Sequence, residues 1–201
     1  MSYIRIRRHN DILWLILDHP PLNILTSAML DQLTAAIHDA LKNAPRLVVI
    51  TGAGEKAFSA GVDVHEHLDG REKEMLRAVY DNCAAFAELR RRHIATTALV
   101  KGCALGGGCE LAALCDTIMA DERATFGLPE ISLGVFPPVA AVTFPALIGR
   151  KAAMRLILTG ETITAQEAFR LGFVHQILPS RYFLADAEEL LALLASSAKT
   201  P

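Results

Sequence analysis

Short apolar or alternating runs, each suited to a strand, take turns with segments of helical period along this chain. That alternation places the fold in the α/β class. Tyr3 to Arg8 alternates apolar and basic side chains, which predicts a strand with one wet face; Ile12 to Leu17 predicts a more buried one. His19-Pro20-Pro21 ends that ladder, because proline cannot donate to it. Thr26 or Ser27 can cap a helix running to about Asn43, with Leu30, Leu33, Ile37 and Leu41 on one face. Further strands are predicted at Arg46 to Thr51, Thr96 to Lys101, Thr117 to Ala120, Thr125-Phe126 and Phe173 to Leu178. Helices are predicted over Arg71 to Arg92, with Leu76, Val79, Cys83, Phe86 and Leu89 in spacing, and over Cys109 to Cys115. Others are predicted from beyond Pro138 to about Leu158, over Thr164 to Leu171 behind a capping-type Thr-x-x-Glu, and over Phe183 to Ala195. With no linker, repeat or low-complexity tract, the chain reads as a single domain: a core over 1–179, then a short C-terminal helix and frayed tail over 180–201.

Of the 201 residues, 52% are hydrophobic and 21% charged, which suits a buried core and excludes disorder as the main state. Twenty basic residues against 22 acidic ones leave a net charge of −2, without the basic excess that a nucleic-acid partner requires. Cys83, Cys103, Cys109 and Cys115 form no C-x-x-C pair, so they read as reduced, mostly buried thiols of a cytoplasmic protein. Met1 to Asn10 holds three arginines and no long apolar block, unlike a signal peptide. Ile131 to Gly149 is uncharged and close to a membrane span in length. Pro137, Pro138 and Pro145 argue against one spanning helix, so no membrane partner is expected; the segment reads as a buried loop leading into a short helix.

Three segments could carry chemistry: Ala57-Phe-Ser-Ala-Gly61-Val-Asp63, Ala104-Leu-Gly-Gly-Gly-Cys-Glu110 and Phe126-Gly-Leu-Pro-Glu130. Glycines ahead of a helix let the backbone approach a ligand, and the unpaired N–H groups of the first turn favour negative charge. A phosphate, a developing oxyanion or a tight junction with no ligand all fit Gly106-Gly107-Gly108; neither phosphate-binding glycine fingerprint is present. Glu110 lies in an otherwise apolar helix and Glu130 borders the uncharged stretch. They are either surface carboxylates or a buried pair whose raised pKa values suit acid–base work. Ser59 lacks a G-x-S-x-G elbow, which disfavours a serine nucleophile. His65 and His67 near Asp63 and Asp69 have generic spacing and read as a solvated turn, so no metal site is expected. Arg90-Arg91-Arg92-His93 fits a helix C-terminus facing its dipole, a phosphate contact being the minority reading.

Taken together and in this order, the three segments resemble the crotonase superfamily, the enoyl-CoA hydratase/isomerase family, from about Ile12 to Pro179. FGLPEISLGVFP and LTGETITAQEAFRLGFVHQIL add to the match. The resemblance implies a spiral of repeated ββα units with a helical C-terminal region, usually assembled as a trimer or dimer of trimers. It implies an acyl-CoA substrate and no separate cofactor, coenzyme A being part of the thioester. The N–H groups of Val62 and Gly107 would form the oxyanion hole, and Glu110 and Glu130 would serve as base and proton donor. Ala60, through its carbonyl, with Gly61, Asp63, Gly106, Leu22 and Pro137, would contact CoA or substrate. The glutamate pair favours hydration of a 2-enoyl-CoA, with isomerisation of a 3-enoyl-CoA or a non-catalytic acyl-CoA-binding subunit as alternatives. Pro20-Pro21-Leu22-Asn23 and Gly134-Val-Phe-Pro-Pro138 look like the branch acting on cyclic dienoyl-CoA esters, with Pro138, Val139 and Val142 expected to reshape the acyl pocket. HPPLN and VHEH carry no lysine or arginine where hydratases often place one for CoA phosphates. After Pro179 only one helix's worth of chain follows, where family members usually continue with several helices. An altered oligomer with open apolar surface is expected from that shortening.

Overall fold

The computed structural model describes residues 2–68 and 70–197. An antiparallel hairpin opens the chain: β1 (Ile4–His9) pairs with β2 (Ile12–Leu17), Ile4 facing Leu17. Thr26 caps α1 (Ser27–Lys42), its Oγ1 accepting from the Met29 N–H at 3.1 Å. Three ββα units follow. The first comprises β3 (Leu47–Gly52), β4 (Ala57–Ser59), the short α2 (Val64–Leu68) and α3 (Glu72–Arg91). The second is β5 (Ala95–Val100), β6 (Cys103–Leu105) and α4 (Gly107–Leu114). The third is β7 (Thr117–Asp121), β8 (Thr125–Gly127), a 3-10 turn at Pro129–Leu133, α5 (Pro138–Leu147) and α6 (Arg150–Thr159). The chain closes with β9 (Thr162–Thr164), α7 (Ala165–Arg170), β10 (Gln176–Leu178), a 3-10 turn at Ser180–Tyr182 and α8 (Phe183–Ser197).

The first strand of each unit joins one sheet and the second strand joins another. Among the described residues the larger sheet has the order β1-β2-β3-β5-β7-β10, parallel from β2 onward. The smaller has the order β4-β6-β8-β9, its first three strands parallel and β9 antiparallel. Side chains alternate across the larger sheet, as strand geometry requires. Leu13, Leu15, Val48, Ile50, Ala98 and Val100 enter the main core. Ile12, Trp14, Leu47, Val49 and Leu99 turn to the opposite face, which α8 covers with Phe183, Ala187, Leu191 and Ala195. The segment after residue 179 therefore supplies one wall of a core layer.

Several sequence-based expectations are corrected. β1 is an edge strand with only Ile4 buried, so Ile6 is exposed like its basic neighbours. The buried face of α3 is Met75, Ala78, Asn82, Ala85, Phe86 and Leu89, so that Leu76 points outward. The helix expected from Pro138 to Leu158 breaks at Gly149, whose φ of +80° ends α5 and starts α6. The uncharged stretch Ile131 to Gly149 is not a buried loop: Leu133, Phe136 and Val142 are all more than 60% exposed. Absence of charge marked an apolar surface there, because the sequence shows composition and not what covers it. The short strands β4, β6 and β9 and helix α2 are absent from the sequence-based expectations. Among the described residues no helix is long and apolar enough to cross a membrane. Of the tail expected to fray, 198–201 lie outside the described residues.

Candidate active site

The three motifs are far apart in sequence, yet each runs off the C-terminal end of a strand of the small sheet. β4 runs into Ala60–Asp63, β6 into Gly106 and Gly107, and β8 into Leu128–Glu130. Ser59 pairs with Ala104 and Leu105 with Gly127, so parallel pairing brings the three exits side by side. The bond from Gly106 N–H to the Gly127 carbonyl, at 2.9 Å, extends that ladder into the site. The carboxyl ends of parallel strands are where open α/β sheets bind ligands.

Gly106 has a φ of +51°, and a Cβ there would lie 2.8 Å from Glu130 Oε1. A glycine is needed both for the turn and for the approach of that carboxylate. Gly107 begins α4, where N–H groups have no intrahelical acceptor. A Cβ on Gly107 would be 3.5 Å from the Val62 nitrogen and 2.8 Å from Val62 Cγ1, so the two segments touch. Neither the Val62 nor the Gly107 N–H donates to an acceptor among the described residues. Two unengaged main-chain donors thus lie together beside the glutamates.

Glu110 is 7% exposed. Its Oε1 accepts from the N–H groups of Val139 and Ala140, both at 2.8 Å, in the first turn of α5. Burial pushes its pKa up and the two N–H bonds oppose that, while the charge of Glu130 adds to the rise; the carboxyl ends at about 7. Glu130 is half-buried in the 3-10 turn, and burial raises its pKa as well. Its Oε2 is buried and has no hydrogen-bond partner among the described residues. Among the described residues neither glutamate pairs with a cation. Buried carboxylate oxygens left unpaired call for a water or a ligand.

Between Glu110, the Val62–Gly107 contact and helices α1, α3 and α5 lies a small cavity of about 30 Å³, which Glu130 does not line. That is room for a water or two. Val62, Gly107 and Glu110 line it, with apolar side chains such as Leu30, Val79 and Leu111. Val139 reaches the cavity, whereas Pro138 and Val142, one turn apart on α5, face outward and do not shape it. Leu22 is 40% exposed and its carbonyl accepts from the Ala60 N–H at 2.9 Å. The Ala60 carbonyl accepts from no donor among the described residues. Gly61 is buried beneath Leu105, and Pro137 is buried at the start of α5. Asp63 Oδ1 accepts from the His65 N–H at 2.9 Å, at the entry to α2. His65 itself is exposed, and among the described residues no cluster is arranged to hold a metal. Asp69 of that turn lies outside the described residues. Ser59 is fully buried and its Oγ accepts from the Gly61 N–H. Arg91 and Arg92 pair with Glu88, and Arg90 with Asp116.

Two supporting residues were missed from sequence. Asn23, fully buried with a φ of +49°, donates Nδ2 to the Ala53 and Ala57 carbonyls and accepts from the His19 N–H, holding the entry to β4. Glu66 accepts from the Ser27 N–H at 3.0 Å, tying α2 to the start of α1. Asn23 carried one cue, a polar side chain among apolar neighbours; nothing local marked Glu66.

A family model described as enoyl-CoA hydratase/isomerase matches residues 7–201. The chain is 35% identical to the 2,3-dehydroadipyl-CoA hydratase of Escherichia coli, over 97% of this chain and 76% of that one. It is 36% identical to a Dictyostelium discoideum protein named "Probable enoyl-CoA hydratase, mitochondrial", over 87% of this chain but 63% of that protein, so it spans less than two thirds of that relative. Among solved structures it superposes on Pseudomonas aeruginosa DspI with a TM-score of 0.91 at 30% identity, covering 100% of this chain and 77% of that one. It matches an enoyl-CoA hydratase from Bacillus anthracis with a TM-score of 0.88 at 33% identity, covering 97% and 77%.

Proposed function

The chain belongs to the enoyl-CoA hydratase/isomerase family, and from that premise we propose that it adds water across the double bond of a 2-enoyl-CoA thioester, linear or cyclic dienoyl. The observation that carries the reading is the meeting of a buried and a half-buried carboxylate, neither paired with a cation among the described residues, with two main-chain N–H groups that have no acceptor there. The thioester oxygen accepts from the Val62 and Gly107 N–H groups. Glu110 takes a proton from water as its oxygen bonds to the β-carbon. The π electrons move toward the thioester, whose oxygen gains charge that the two donors stabilise, each worth about 3–4 kcal/mol. Glu130 then protonates the α-carbon, giving a 3-hydroxyacyl-CoA. A Glu110 pKa of about 7 suits this part, because the group is both ionised in useful amount and basic near neutral pH.

The Ala60 carbonyl and the neighbouring Gly61, Asp63, Gly106, Leu22 and Pro137 are the candidates for contacts to CoA and substrate. The exposed apolar side chains of the third unit, Leu133, Phe136, Val142 and Leu158, support a homo-oligomer. The four free cysteines suit a reducing compartment such as the cytoplasm. The test follows loss of the 2-enoyl-thioester absorbance with purified protein, beside Glu110→Gln and Glu130→Gln. Turnover in the wild type that each variant cuts by at least a hundredfold is expected. Equal turnover in all three would remove the two-glutamate mechanism. Isomerisation, the alternative, needs only one of the two glutamates and yields no hydroxyacyl product.

A further inference from the structure

Helix α5 begins without a cap of its own. Pro137 precedes it with an extended ψ of 105° and Pro138 is its first residue, and neither side chain can accept a hydrogen bond. The opening N–H groups of a helix have no intrahelical acceptor. Pro138 has no N–H to place, and the Ala141 N–H already donates to the Pro137 carbonyl at 3.0 Å. The orphan donors of α5 are therefore those of Val139 and Ala140, and both go to one atom, Glu110 Oε1, at 2.8 Å. Glu110 Oε2 accepts no hydrogen bond among the described residues. Ala140 and Phe144, both buried, anchor the helix in the main core. Pro138, expected to reshape the acyl pocket, is exposed and acts through the backbone that it fixes.

We propose that the first turn of α5 is the positioning element of the base, holding Glu110 Oε1 with its two orphan N–H groups so that Oε2 takes the proton from water. The inference rests on the hydration reading above. Val139 and Ala140 touch no reacting atom and act through Glu110. Two donors shared between the carboxylate oxygens would engage both of them, whereas here they converge on one. The positive end of the α5 dipole adds to the hold on the ionised form. Of the titratable groups around Glu110, Glu130 adds its charge from the 3-10 turn, Cys109 adjoins it on α4 and Cys83 faces it from α3. Burial raises both thiols above their ordinary value, so they are uncharged near neutral pH. Helix α5 carries no titratable side chain, and α1 brings the apolar Leu30 to this cavity.

Val139→Pro deletes one donor in the first turn, where a helix tolerates proline, and Val139→Ala removes the side chain but keeps the N–H. With proline, the rising limb of kcat/KM against pH is expected about one unit above that of the wild type, because the lost bond favoured the ionised form. With alanine the limb should stay where the wild type has it, whatever the rate. A limb unmoved by proline, or moved equally by alanine, would overturn the proposal. NMR of the nitrogen-labelled wild type needs no turnover and decides the matter even if the proline variant does not fold. The Val139 and Ala140 amide signals should titrate together with a midpoint at about 7, and should lose that titration in Glu110→Gln. Amides that do not titrate, or that titrate unchanged in Glu110→Gln, would overturn the proposal as well. Titrating amides in a wild type that turns over no 2-enoyl-CoA would instead overturn the hydration reading.

Discussion

Replacing Gly107 by alanine probes the paired donors through a single methyl group. The added Cβ would lie 2.8 Å from Val62 Cγ1 and 3.5 Å from the Val62 nitrogen. Carbon atoms prefer about 3.5–4.0 Å, and the β-branched Val62 side chain has little freedom to turn away, so its relief by parting the two segments takes roughly 1 Å. Donors to an oxyanion work only over a narrow range, about 2.7–3.1 Å. A displacement of that size removes one of them and should lower kcat by about 10²–10³. KM should change little, because the charge on the oxygen develops in the transition state. Overpacking should cost about 1–3 kcal/mol of stability. Initial rates on a 2-enoyl-CoA, followed by thioester absorbance, give kcat and KM, and urea unfolding gives the stability. Adding Val62→Ala removes the clashing Cγ1 and keeps the main-chain donor, so the double variant should regain at least tenfold in kcat. A folded Gly107→Ala protein with wild-type kcat would refute the placement of the donors.

Three further outcomes follow from the same geometry. The Glu110 carboxyl keeps its proton up to about 7 in the folded chain against 4.5 ordinarily. Its stabilising contribution is therefore complete below about pH 4.5 and is lost as the pH rises to about 7, a change of roughly 3 kcal/mol. Relative to Glu110→Gln, the wild type should lose that much between pH 4.5 and pH 8 in denaturant titrations, while its kcat/KM rises through pH 7 as the base ionises; a flat difference would contradict the burial of the charge. Asn23→Ala strands the His19 N–H and the Ala53 and Ala57 carbonyls, and should cost about 3 kcal/mol in urea unfolding; a cost below 1 kcal/mol would mean that the β4 entry is held by other contacts. Val142 is 78% exposed on α5, so Val142→Lys should leave monomer stability within about 0.5 kcal/mol yet shift the solution mass toward smaller species if this face joins subunits. An unchanged mass distribution would move the contact elsewhere.

The residues of the candidate site were more legible in the sequence than the scaffold that assembles them. Gly106-Gly107 and Glu110 stood out because a glycine cluster and a lone carboxylate in an apolar helix each conflict with ordinary packing. That they meet depends on β4, β6 and β8, each three residues long. Strands so short carry no measurable period, and β4 and β6 escape a reading of the sequence for that reason. Long strands with β-branched runs, such as β3, were read within a residue. The junction at Gly149 was hidden because both helices it separates are apolar or mixed, so no change in pattern announced it. Asn23 and Glu66 act through partners 30 to 39 positions away, or across the turn from His19, and local reading could not find them.

The central claim is that Glu110 and Glu130 together add water to a carbon–carbon double bond. Turnover of a 2-enoyl-CoA in H2(18)O, with the product analysed by mass spectrometry, tests it most directly. The account predicts a 3-hydroxyacyl-CoA carrying one labelled oxygen on the β-carbon, absent with either glutamine variant. A product whose double bond has moved without taking up label, or no consumption of substrate by the wild type, would contradict it.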